Sequence, residues 1–424
     1  MTDRARLDGA LGGVALERAS ERLRSLRASL GSRAETPAGR RFLAAELARA
    51  LPFPYQALRS HLERRPVSVA GRPARLLSRE LLGERLDIRV ALVGAGPVRL
   101  RPFQASAVAR SARWERSAAV RIRRLLGGRI DDKVCFSALG VELTAAGAVV
   151  EGGLTSYGSA LAVQDDLEWE LLDQAGRLLG AAVGRGAAPD PAALSGRLRR
   201  RLAVEAGAGG ELLAGPGRCN ALALATAVVY PDGDEFRVMV GRRAAVSGAH
   251  AGLCHVLPAG MLQPELGDPR REWDLRQAFL KEYGEELYGE ELDGRREPGY
   301  FLAEWPAVRA LLRALDDGRC TLLTTGLVVN LLNLRPEVCA LLLVQDPSWW
   351  AAQQARQRPN WEHDRGRAWT GLRLAHAEAD FLRSFGASPG GWAPSGLAAF
   401  WLGVDAARRE LGYSEEVGSS ETVS

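Results

Sequence analysis

Residues 257–289 read LPAGMLQPELGDPRREWDLRQAFLKEYGEELYG, and the last nine positions decide how the chain is read. Glu282, Glu285 and Glu286 recur at steps of three and one, so a helix would carry all three carboxylates on one face. Like charges that close repel, and a solvated helix ordinarily alternates its signs. Two readings account for the cluster: a surface helix with a chance run of acids, or a helix whose repulsion is offset by a bound cation. Hard carboxylate oxygens suit Mg2+ or Mn2+, which keep several waters and bridge to substrate phosphates. Such an ion neutralises diphosphate charge and lowers the pKa of an attacking water. A carboxylate left uncoordinated can serve as general base.

The flanks read as a new structural unit. NALALATAVVY (220–230) is a strand, PDGD (231–234) a turn and EFRVMVG (235–241) a returning strand, the clearest hairpin of the chain. Arg242 and Arg243 follow it. Further strands are expected near 321–330 and 337–346, a helix over 376–385, and an acidic, Ser-rich disordered tail over 406–424.

Together these residues resemble the Nudix hydrolase box, GX5EX7REUXEEXGU with U a bulky aliphatic residue. KEYGEELYG (281–289) lies on REUXEEXGU: Lys281 stands for the arginine, Glu282 and the Glu285–Glu286 pair match, and Gly260 takes the place of the opening glycine. The resemblance covers 215–405. It departs from the pattern in three places. Between Gly260 and Lys281 lie 20 residues where the family has 13. The early glutamate's place falls on Trp273, with Glu272 beside it and Glu265 upstream. Tyr288 stands where the family has glycine.

The resemblance implies an α+β fold whose C-terminal part is a Nudix-like α/β/α sandwich with a mixed sheet. It also implies Mg2+-dependent (or Mn2+-dependent) hydrolysis of a nucleoside diphosphate-linked substrate. Glu282, Glu285 and Glu286 would hold the metal, with Glu285 or Glu286 assisting as base and Lys281 as an orienting charge. Gly260 would let the loop approach the metal, and Arg242 and Arg243 would meet phosphate. Trp361 and Trp369 would stack on a base, and Glu337 and Glu362 are the two candidates for a further acid from a later loop. The alternative is a catalytically silent module derived from that fold, which senses a nucleotide or a partner.

The rest of the chain bounds these readings. A length of 424 residues allows two or three domains, with 46% hydrophobic and 25% charged residues. No apolar run approaches a membrane span and MTDRARLDGALGG lacks a signal-peptide core, so a cytoplasmic protein without a membrane partner is expected. Five scattered cysteines without a CxxC pair read as reduced thiols. His250 and His255 flank Cys254 without a common zinc spacing and read as pocket lining. No GxSxG elbow or GxxxxGK loop occurs.

Residues 1–130 hold 27 basic and 11 acidic residues, which makes nucleic acid a lesser candidate partner. Arginine, however, dominates the whole chain: only Lys133 and Lys281 are lysine. Leu16, Leu23, Leu26 and Leu30, then Phe42, Leu43, Leu47 and Leu51, predict a helical segment within 1–80, fit for homo-oligomer contacts. A β-rich middle domain is expected over 81–205, including strands at VCFSALGVEL and around LTSYGSALAV. Gly94 and Gly96 read as a turn rather than a dinucleotide loop, because Pro97 follows and the third glycine is absent. Residues 176–205 read as helix and 206–217 as a linker.

Overall fold

The structure is a computed structural model. It describes residues 24–32, 132–165, 219–244, 253–290, 301–363 and 370–413, with a few short gaps inside these ranges, and parts of 68–130. The expected helices over 42–65, the helix at 176–205, the linker at 206–217, and His250, Trp361 and Trp369 lie outside the described residues. Residues 24–30 are helical as expected.

The architecture is α+β, built on a nine-stranded mixed sheet. After a short pair, β1 (Ser68–Val69) and β2 (Arg72–Pro73), come β3 (Arg75–Leu81) and β4 (Glu84–Ala95). These three strands within 68–81 replace helix at the end of the segment expected to be helical to 80. A second, four-stranded sheet holds β5 (Val98–Leu100), β6 (Val108–Ala109), β7 (Val134–Thr144) and β8 (Gly147–Ser156). The chain then turns helical in α1 (Tyr157–Ala160), where a continuing strand was expected. Ser156 explains the switch: its side chain accepts from Ser159 N and caps the turn.

The main sheet continues with β9 (Ala223–Asp232), β10 (Glu235–Arg242), β11 (Cys254–His255) and β12 (Ala259–Met261). It is completed by β13 (Cys320–Asn330), β14 (Pro336–Val344) and β15 (Thr370–Arg373). Its order is β11-β10-β9-β14-β13-β4-β3, with β12 on β9 and β15 on β10. β14 and β9 run parallel and all other pairs are antiparallel. Backbone pairing thus crosses the boundary expected near 205–215: Gly326 to Asn330 of β13 pair with Ala95 to Val90 of β4.

The central strands are continuous apolar runs because both faces are covered. Val338, Ala340 and Leu342 point to one side, into a core with α3 (Leu275–Tyr288) and α4 (Pro306–Asp316); the short α2 (Pro269–Glu272) precedes them. Cys339, Leu341 and Leu343 point to the other, into a core with α6 (Ala377–Phe385) and α7 (Pro394–Glu410). The remaining helix, α5 (Pro347–Gln354), sets Trp350 in a stack on Tyr230 of β9 at 4.4 Å. That ring packs the core. α7 runs through 406–410, with Ala406 and Ala407 buried, so the chain is ordered past the start expected for the tail. Among the described residues no helix is long and apolar enough to cross a membrane.

Candidate functional site

The carboxylates do share a helix. α3 begins at Asp274, whose side chain accepts from Gln277 N at 3.0 Å, and ends at Gly289 in the left-handed conformation, φ 65°. The left-handed glycine that ends the helix is Gly289, one residue after Tyr288. That frees Tyr288 to pack inward, its hydroxyl 3.0 Å from that of Tyr283.

Glu282 and Glu286 face the start of β12, and Glu285 turns to Lys281. Ala259 N donates to Glu286 Oε2 at 2.7 Å, and a methyl group on Gly260 would overlap the Glu282 carboxylate. A side chain at position 260 would therefore require that buried carboxylate to shift.

Two cations of the chain's own stand among these acids. Lys281 Nζ lies 3.2 Å from Glu285, 3.3 Å from Glu282 and 3.4 Å from Glu265. An ammonium has three donors, and three carboxylates surround this one. Arg243, just past the end of β10, donates from Nη1 to Glu286 Oε1 at 2.8 Å and to Ala259 O at 3.3 Å, and from Nη2 to Glu362 Oε2 at 2.6 Å. Arg242, one residue earlier, is half-buried and follows the strand's alternation to the other face.

Of the two later acids, the structure brings Glu362 into the cluster. Glu337 instead sits buried on β14, its carboxyl raised by burial and partly offset by Ser395 and Arg335.

Sequence reasoning put Glu265 too far upstream and did not place Lys133 or His363 at the site. Glu265 reaches the cluster from 16 positions before Lys281 because the intervening residues are folded aside as α2. Glu272 holds that loop, accepting from Glu265 N at 2.7 Å and Asp268 N at 3.0 Å. Trp273, at the place the family pattern gives to its early glutamate, packs on Phe136 and Phe103 and donates to Arg101 O at 2.9 Å. The insertion thus locks the site's loop to the second sheet. Lys133, at the start of β7, then reaches Glu265 Oε1 at 3.0 Å. Both lysines of the chain meet one glutamate, and their rarity was the signal available in the sequence.

The electrostatics follow from burial. Burial pushes Glu282 up to about 7 and Glu285 up to about 8, with Lys281 opposing in each case. Glu286 and Glu362 are also raised by burial, with Arg243 opposing. Burial works against the charge of Glu265 too, but Lys281 and Lys133 outweigh it and hold that carboxyl below its usual range. The neighbouring carboxylates keep Lys281 well above its ordinary value despite burial. His255 and His363 are depressed to about 3 by burial and by Arg243, so both are neutral. His363 Nε2 lies 3.5 Å from Glu286 Oε1.

As arranged, these residues do not fit a divalent metal. Both oxygens of Glu286 are already bonded, Glu362 is bonded to Arg243, and Lys281 fills the space between Glu282, Glu285 and Glu265. Among the described residues no three His, Cys, Asp or Glu side chains are grouped to hold a metal ion. A cavity of about 20 Å³ beside Lys281, Glu282 and Glu265 has room for about one water. A second cavity, of about 490 Å³, opens along the first half of α3 between Leu275, Phe279, Leu322, Thr324 and Val98, with Arg276 also in its lining.

No family model and no curated protein matches this chain. Among solved structures it is similar to a crystal structure of a NUDIX hydrolase from Alicyclobacillus acidocaldarius, at 15% identity and a TM-score of 0.23. The match covers 39% of this chain and 83% of that one.

Proposed function

We propose that this chain is a Nudix-like module that binds a nucleotide-type ligand or a partner without turning it over. The observation that carries the reading is the pair of internal cations: Lys281 within 3.2–3.4 Å of three carboxylates, and Arg243 bonded to two more. Acids whose charge is answered from within the fold have a structural explanation. The space for a ligand is the cavity of about 490 Å³, which lies in the range of about 300–1,000 Å³ usual for small-molecule sites.

One observation favours a second reading, Mg2+-dependent hydrolysis of a nucleoside diphosphate derivative. Five carboxylates (Glu265, Glu282, Glu285, Glu286 and Glu362) meet three cations, and repulsion from the neighbouring glutamates adds to the burial that raises Glu282 and Glu285. In that reading Lys281, now 3.2–3.3 Å from Glu285 and Glu282, would have to leave them before a divalent ion could enter.

The two readings separate in a hydrolysis assay over a panel of nucleoside diphosphate derivatives with Mg2+ and Mn2+, run on wild type, Glu285→Gln and Glu286→Gln. No turnover by the folded wild type is the expected result. Metal-dependent turnover that both variants lose would establish the hydrolase in its place.

A further inference from the structure

We propose that Arg243 is the resident cation of the oxygen set formed by Ala259 O, Glu286 and Glu362, and that it holds the place a divalent metal would otherwise take; the inference rests on the reading of a site without turnover. Two carboxylates and a backbone carbonyl are the donor types that hard divalent ions choose. Here all three converge on the two terminal nitrogens of one guanidinium, at 2.6–3.3 Å.

A guanidinium stays charged throughout the accessible pH range, and this one is buried. The remaining Glu286 oxygen accepts from Ala259 N at 2.7 Å, and His363, 3.5 Å from Glu286 Oε1, is neutral and adds no competing charge. The cluster is also held by backbone. Arg243 N donates to Leu253 O at 2.9 Å, Ala244 N donates to Glu362 O at 2.6 Å, and Ala259 pairs with Ala225. Arg243 is therefore carried on the same framework as its acceptors. It is not a surface side chain that happens to fold inward.

The consequence is specific. Wild type excludes divalent ions from this set, and removal of the guanidinium creates a vacancy of matching charge and donor chemistry. The test is Mn2+ binding, read by the electron paramagnetic resonance of free Mn2+ and by thermal unfolding with and without Mn2+. It uses the full chain as wild type, Arg243→Gln and the double variant Arg243→Gln/Glu362→Gln.

The expected result is no binding by wild type up to about millimolar Mn2+, and at least about a tenfold gain in affinity for Arg243→Gln that the double variant loses. The melting temperature should rise with Mn2+ only in Arg243→Gln, because a ligand stabilises the state it binds. If Arg243→Gln folds only when Mn2+ is present, the inference is likewise supported. A folded Arg243→Gln without the gain, or an unfolded one that Mn2+ does not rescue, overturns the inference and leaves the reading of no turnover standing. Mn2+ held by wild type as tightly as by the variant overturns the inference and removes the main support for that reading.

Discussion

Raising the pH from about 6.5 to about 8.5 should destabilise the folded chain, and Glu285 should carry most of the loss. Glu285 is pushed up to about 8 and Glu282 to about 7, in both cases by burial, from an ordinary value of 4.5. A carboxyl whose folded pKa is raised contributes stability that is complete below its unfolded value and is lost as pH rises through the folded one.

Two histidines shape the acid side. His255 and His363 are depressed to about 3, so their contribution is present above their ordinary value of 6.5 and fades as pH falls below it. Between about 4.5 and 6.5 the acids and the histidines therefore oppose each other. Above about 6.5 the acids act alone. From there Glu285 has about 1.5 units to travel and Glu282 about 0.5, at about 1.4 kcal/mol per unit. The two titrate as a coupled pair around Lys281, so the observable loss is about 2 kcal/mol.

Urea denaturation of wild type and Glu285→Gln at about pH 6.5, 7.5 and 8.5 reads this directly, as a shift in midpoint at constant slope. Glutamine keeps the shape of the protonated acid and cannot ionise, so the variant should lose most of the slope. A wild type that is flat or gains stability over this window would refute the reasoning, and so would a variant that keeps the full slope.

Two further substitutions probe the framework. Gly260→Ala drives a methyl group into the Glu282 carboxylate and should cost about 1–3 kcal/mol in chemical denaturation; an unchanged midpoint would show that the loop is free to yield. Trp273→Ala empties the contact between the α2 insertion and the second sheet, at about 3–5 kcal/mol. Amide hydrogen exchange should then rise at Glu265 and Asp268, and protection that persists there would mean Glu272 holds the loop unaided.

The local features were legible in the sequence because they are set by short-range chemistry. The Asp-Gly hairpin, the apolar runs of β9, β13 and β14, and the carboxylate helix each depend on residues a few positions apart. Even the switch to α1 after Ser156 was written locally, in a capping serine, although a strand was expected around LTSYGSALAV. The site's electrostatics were not legible. Glu265 was set aside because spacing along the chain placed it too far upstream, yet α2 folds the intervening residues away and returns it to Lys281. Glu362 and Glu337 are equally acidic in sequence, and only the position of Arg243 distinguishes them.

The sequence by itself determined which face of α3 is acidic and that lysine is chosen at only two positions. Only the tertiary structure decided that both lysines meet Glu265 and that Arg243 turns inward. Which charge answers which is fixed by distances between segments far apart in the chain, and a buried charge takes its meaning from whatever the fold sets within a few ångströms of it.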